Sequence, residues 1–200
     1  MTPSLRYSSA MPASPFALDE TRMMVGLMLE SDDRDEIRRM VHDGNLLKVK
    51  SVSNEKKLFN YIYNRLESFP DELKRVIIGS DEADSRYVNF ISIMSYDNLF
   101  REFVFDVYHA KMLGRDPITD FDIMNFFEQK ARESEVVADW KYETVFKLRR
   151  LYTRILFEAG LLKKSSGIRE ITAPMISIST STLLMDNGFR DYLGATVGII

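Results

Sequence analysis

Two hundred residues with 45% hydrophobic content can bury the core of one compact domain or two small subdomains, and the formal charge is −3. The chain has no cysteine, which excludes a disulfide framework, thiolate metal sites and thiol catalysis together. No apolar segment precedes Pro12 and Pro15 to act as a signal peptide, and the longest uncharged run, 171–185, is interrupted by Pro174 and rich in Ser and Thr. That run is shorter than the roughly 20 apolar residues of a membrane span, so a cytoplasmic protein without membrane contact is expected.

Residues 1–16, with Pro3, Pro12, Pro15 and several Ser, read as a flexible arm. A helix follows over 17–30, with Leu18, Val25, Met28 and Leu29 toward the core. Asp32 and Asp33 open a second, short helix that ends at Asp43-Gly44. Ser53 is the expected N-cap of a helix over 54–69 with Leu58, Ile62, Leu66 and Phe69 as its apolar stripe. Pro70 suits the first turn of the next helix, 71–78, and Ser80 with Asp81 and Glu82 opens another. Segments 87–96 and 99–112 are apolar on most sides, as central helices are, with Asp97 as a cap between them. Thr119 and Asp122 resemble a capping box at the start of 123–133. Ile176 and Ile178 alternate with Ser177 and Ser179 like a short strand, and a last helix spans 181–186. These elements make a mainly α helical bundle with N-terminal (17–96) and C-terminal (97–200) helical subdomains.

Charge is segregated. Between 141 and 169 lie Lys141, Lys147, Arg149, Arg150, Arg154, Lys163, Lys164 and Arg169 against Glu143 and Glu158, a local balance of +6. The rest of the chain is therefore acidic, and a local potential able to attract a polyanion results. Val145, Leu148, Tyr152, Ile155, Leu156 and Ala159 recur at helical spacing and define a buried face. Lys147, Arg150 and Arg154 project from roughly the opposite side, at about 100° per residue. Gly160 stops the helix, and 161–164 and 168–171 flank Ser165-Ser166-Gly167 as a small wing-like β-hairpin. A second cluster, Lys48, Lys50, Lys56, Lys57 and Arg65 against Glu55, adds +4, with Asn60 on the same face as Lys56. Lys and Arg supply phosphate contacts, and Asn can reach phosphate or base edges. The competing reading of both clusters is a solvated helix face.

The segment Asn45-Leu46-Leu47-Lys48-Val49-Lys50-Ser51, running into a helix that ends Asn64-Arg65-Leu66-Glu67, resembles the N-terminal part of the BrxA family of bacterial BREX (bacteriophage exclusion) systems. A second stretch, Trp140, Leu148 and then Arg154-Ile155-Leu156-Phe157-Glu158-Ala159-Gly160-Leu161-Leu162, is similar to the same family, and order and spacing agree over roughly 17–169. The resemblance implies a helical fold like that of the NusB antitermination factor, binding of double-stranded DNA and a role in excluding phage.

Catalytic parts are missing. His42 and His109 are the only histidines; His109 reads as a packed side chain, and Asp43 beside His42 does not face it on a helix. Asp116, Asp120 and Asp122 suit turn and cap duties around Pro117 and Thr119 better than a metal site. Glu128-Gln129-Lys130 falls in a helix, and Gly79, Gly114 and Gly167 stand singly, without a phosphate loop. The expected function is non-enzymatic, cofactor-free binding of double-stranded DNA. Its phosphate contacts are expected from Lys147, Arg149, Arg150, Arg154, Lys163, Lys164 and Arg169, joined by Lys48, Lys50, Lys56, Lys57 and Asn60. An adaptor assembling other BREX proteins, and an RNA binder by analogy with NusB, are the alternatives.

Overall fold

The computed structural model describes residues 7–198. In chain order the helices are α1 (Leu18–Glu30), α2 (Arg34–Asp43), α3 (Val52–Glu67), α4 (Asp71–Gly79), α5 (Glu82–Tyr96) and α6 (Asn98–Phe103). A π-helical turn (Val104–Tyr108) joins α6 to α7 (His109–Gly114), and α8 (Asp120–Glu133), α9 (Glu135–Ala138), α10 (Tyr142–Glu158), α11 (Ile178–Asp186) and α12 (Arg190–Val197) complete the bundle. Short polar side chains start many of them. Asp33 accepts from the N–H groups of Asp35 and Glu36, Asp81 from Asp84, and Asp97 from Phe100. Thr119 and Asp122 form the reciprocal capping box that their spacing suggests. On α3 the cap is Ser51 rather than Ser53: Ser51 has the extended backbone a cap needs, and its hydroxyl accepts from Asn54 N at 3.2 Å.

Helix α5 is the axis of the bundle. Tyr87, Val88, Phe90, Ile91, Ile93 and Met94 point to different sides and are all fully buried, because α1, α3, α4, α6 and α10 pack around it. An aromatic chain continues outward through Phe90, Phe100, Tyr152 and Phe127, each ring within 6 Å of the next. One buried cluster runs from Met11 to Leu193, joining residues on both sides of position 97. The π turn keeps Glu102 and Asp106 both within reach of Lys130 on α8, whose ammonium lies 2.7 and 3.3 Å from them and 3.1 Å from Glu133.

Residues 7–16, which the sequence suggests are part of a flexible arm, are docked on this body. Met11 and Phe16 are buried, Lys147 Nζ donates to Met11 O at 2.8 Å, and Tyr7 donates to Glu102 at 2.7 Å. The strongest tie is Arg65 of α3. Its guanidinium, in the core, donates to Pro15 O at 2.7 Å, Phe16 O at 3.4 Å, Thr21 Oγ1 at 2.5 Å and Asn89 Oδ1 at 2.9 Å. Asn89 Nδ2 donates in turn to Phe16 O at 2.8 Å. Burial pulls the Arg65 pKa down to about 10, so the charge persists and is met by dipoles rather than by a carboxylate.

Two other expectations are corrected, and one helix is added. The wing-like β-hairpin is absent: 161–172 close only an isolated bridge between Leu162 and Ile171. The two arms still touch there, Lys163 N donating to Glu170 O and Thr172 N to Leu161 O at 3.0 Å. One residue earlier, however, Arg169 pairs with Ile118 in the α7–α8 connection, through bonds of 3.0 and 3.2 Å in the two directions, so the pairing of the arms does not extend toward the turn. The strand-like pattern at 176–179 is the start of α11. Asp84 of α5 accepts from Ser177 N at 2.8 Å, Ser177 Oγ at 2.6 Å and Thr180 Oγ1 at 2.8 Å, which fixes Ser177 as the cap. The helix α12, with Leu193, Ala195 and Thr196 buried, has too weak a sequence pattern to stand out.

Replacing Arg65 by Met should destabilise the fold by about 3 kcal/mol, since several buried acceptors lose their donor together. Urea unfolding measures this, and a loss under about 1 kcal/mol would mean the arm is held by other contacts. Asp97 gives a pH signature. Burial raises its carboxyl to about 6, against the N–H groups of Phe100 and Leu99 that pull it down. The unfolded value is about 3.9, so the folded state holds the proton more tightly. The resulting stabilisation is fully present below about pH 4 and is lost as pH rises through about 6. Asp97→Asn keeps a good cap but cannot titrate, and should flatten stability against pH over that window. An unchanged slope in urea midpoints would place the titrating group elsewhere.

Candidate nucleic-acid interface

Helix α10 buries Leu148, Leu151, Tyr152, Ile155 and Leu156, and this side fixes what the other presents. Lys147, Arg150 and Arg154 are exposed, as the helical rotation predicts. Beside them lies a groove of about 720 Å³, walled by α10, by the 165–169 loop and by Ala13 of the docked N-terminal segment. Five cations line it: Lys147, Arg149, Arg150, Arg154 and Arg169, with Asp120 as the sole carboxylate. Ser165, Ser166 and Thr153 supply hydroxyls, and Phe146 an exposed ring stacked on Tyr142 at 6.1 Å.

These cations differ in freedom. Arg150 has no ion pair or side-chain hydrogen bond among the described residues, whereas Arg154 Nε donates to Glu158 at 3.0 Å and Lys147 to Met11 O. Arg149 is half-buried, with Nη2 3.4 Å from Asp120 Oδ1. Arg169 is buried; its Nη2 donates to the same oxygen at 2.7 Å and its Nε to Ser165 O at 3.2 Å. Arg169, with Arg149 behind it, holds the Asp120 carboxyl below the usual carboxylate range. Asp120, set aside as a turn residue in the sequence, thus organises the groove floor. Its partnership could not be read from sequence because Arg169 lies 49 positions away.

The 161–171 segment contributes less free charge than expected. Lys163 is exposed but paired with Glu170, whose carboxyl it holds down; Lys164 is exposed and has no ion pair among the described residues. Neither lines the groove.

The second cluster sits on α3 and the loop before it. Lys48, Lys50, Lys56 and Lys57 are all exposed, and Lys48 adopts a left-handed backbone (φ 52°). Asn60 is engaged: its Oδ1 accepts from Arg34 at 3.1 Å and Arg38 at 3.5 Å of α2. Arg34 and Arg38 also lie over the rings of Tyr63 and Phe59, at 4.6 and 5.2 Å from the centroids. With exposed Arg39, α2 adds cations that sequence counting missed, because Asp32, Asp33, Asp35 and Glu36 cancel them locally. A smaller groove of about 310 Å³ lies here, lined by Val41, Val52, Phe59, Arg38, Lys56, His42 and Glu55. The two grooves share no residue. His42 bonds Glu55 at 2.8 Å, and His109 bonds Ala195 O at 3.2 Å.

Among the described residues, no group of three or more His, Cys, Asp or Glu is placed to hold a metal, and no helix is long and apolar enough to cross a membrane.

The chain is 33% identical over 193 residues to the "BREX protein BrxA" of Bacillus cereus (strain H3081.97), covering 96% of both chains. A second "BREX protein BrxA", from Paramagnetospirillum magneticum (strain ATCC 700264 / AMB-1), is 24% identical over 183 residues, covering 91% of this chain and 92% of that one. The fold matches the crystal structure of an uncharacterized protein from Magnetospirillum magneticum with a TM-score of 0.82 at 23% identity, over 96% of this chain and 97% of that one. Because the BrxA family model also matches residues 5–188, nearly the whole length, the chain belongs to the BrxA family.

Proposed function

We propose that this chain is a non-enzymatic binder of double-stranded DNA that serves a bacterial BREX phage-defence system. The observation that carries the reading is the α10 groove, where five cations face one carboxylate in an otherwise acidic protein. Duplex DNA carries a dense row of phosphates, and releasing its counterions onto such a surface drives binding with little regard to sequence. Lys147, Arg150 and Arg154 take phosphates along α10, with Arg149 and Arg169 beneath them. Lys163 and Lys164 flank the loop. Lys48, Lys50, Lys56 and Lys57 form a second field, reinforced by Arg34, Arg38 and Arg39. Asn60 contributes little base readout, since its carbonyl is already engaged by two arginines. The protein acts in the cytoplasm, where its DNA target lies.

A second reading has its own support. The α2–α3 groove has an apolar floor, and Val52 at its edge is 68% exposed, which favours a contact with another BREX protein. RNA, the ligand suggested by a NusB-like arrangement, rests on analogy alone. Mobility shifts with duplex DNA, single strands and structured RNA over several salt concentrations separate the three; tightest binding to duplex is expected.

Changing Lys147, Arg150 and Arg154 together to Glu should abolish duplex binding while leaving the helical bundle folded, because all three are exposed and only the Lys147 bond to Met11 O is lost to the N-terminal segment, which Arg65 still holds. Partial neutralisation should lower the dependence of log K on log salt by roughly 0.9 for each phosphate the protein no longer neutralises, similarly for unrelated sequences. A folded triple variant that binds duplex with an unchanged slope would make α10 a solvated face and leave the adaptor reading ahead.

A further inference from the structure

The floor of the α10 groove is built more rigidly than a general basic surface requires. Arg149 and Arg169 share one oxygen of Asp120, so the trio keeps a net positive charge in a partly buried position. The Arg169 side chain is 7% exposed, and its backbone is held on both sides by Ile118. Yet Arg169 Nη1 and Arg149 Nε have no hydrogen-bond partner among the described residues. Buried donors on a cation are strongly disfavoured when left unpaired, and such groups mark places where an ion or water belongs. Both arginines line the groove, beside the hydroxyls of Ser165 and Ser166.

We propose that this floor is a seat for a single phosphate group, whose oxygens accept from Arg149 and Arg169 in the orientation that Asp120 imposes. A guanidinium fork matches phosphate geometry, which is why two posed arginines select this anion over a spherical one. Both orphan nitrogens are covered in this structure, so the seat requires that the lining around Ser165 and Ser166 give way when the anion enters. Ser165 and Ser166 then donate from the lip, and Arg150 and Arg154 take the neighbouring charges along the backbone. Asp120 is a positioning residue: it touches the arginines, not the phosphate. The source of the phosphate, a duplex backbone, rests on the function proposed above; the seat itself does not.

Inorganic phosphate, exchanged for chloride at constant ionic strength, tests the seat directly. Phosphate should shift the side-chain Nε–H NMR signals of Arg149 and Arg169 in the unaltered protein and raise its melting temperature. Silence of both signals would overturn the proposal whatever the variants do. Asp120→Asn then separates a posed seat from diffuse attraction. Removing a negative charge strengthens any diffuse attraction for an anion, whereas exchanging the charged shared oxygen for a neutral amide oxygen loosens the hold on both arginines and should weaken phosphate binding about tenfold. Phosphate bound as tightly, or more tightly, by folded Asp120→Asn sinks the seat. Arg169→Lys keeps the charge and loses the fork, and should also lose the melting-temperature response. Duplex DNA should move the same two Nε–H signals. If phosphate moves them and bound duplex does not, the seat stands and the duplex reading of this groove falls.

Discussion

One guanidinium in the core holds together segments that would otherwise have no reason to meet. Arg65 lies on α3, and its donors reach the 15–16 carbonyls, Thr21 on α1 and Asn89 on α5. A buried cation without a counter-ion is expensive, and it persists only because four oxygens surround it. The same bonds hold a strained turn: Ala17 has a left-handed backbone (φ 37°), and its carbonyl accepts from both the N–H and the hydroxyl of Thr21. Once 11–17 is fixed in this way, the Met11 carbonyl holds Lys147 and Ala13 becomes a wall of the α10 groove. Core and candidate interface therefore depend on one side chain.

Elsewhere, the long-range geometry is set by carboxylates that reach between elements. Asp84 on α5 starts α11, Asp120 at the head of α8 gathers Arg149 and Arg169, and Glu102 with Asp106 grips Lys130. Each joins helices or loops distant in sequence. In the groove this has an electrostatic consequence. Asp120 neutralises one charge but orders two cations, so field strength is exchanged for direction, which matters more for a planar or tetrahedral anion than for a diffuse one.

Much of this was legible from local pattern. The stripe Leu148, Tyr152, Ile155, Leu156 placed Lys147, Arg150 and Arg154 outward correctly, because a helix of fixed pitch converts spacing into direction. The caps at Asp33, Asp97 and Thr119 were readable because capping acts over three residues. The hairpin was not, since Ser165-Ser166-Gly167 is a suitable turn but Arg169, at the start of the second arm, pairs with Ile118, 51 positions away, and leaves the two arms a single bridge. The strand at 176–179 failed similarly: Asp84, 93 positions earlier, decided its conformation. Arg34, Arg38 and Arg39 escaped notice because net charge along the chain averages over residues that a helix sends to different sides.

Local sequence was enough for most of the helices, their solvent-facing sides, the absence of thiol chemistry and the family. These follow from interactions within a few residues, or from composition, and need no knowledge of what lies across the core. The docking of the N-terminal segment, the service of Asp120 to two arginines and the engagement of Asn60 by α2 came from the folded bundle instead. Each depends on partners 22 to 136 positions apart, whose meeting is settled by packing around α5 rather than by any local preference.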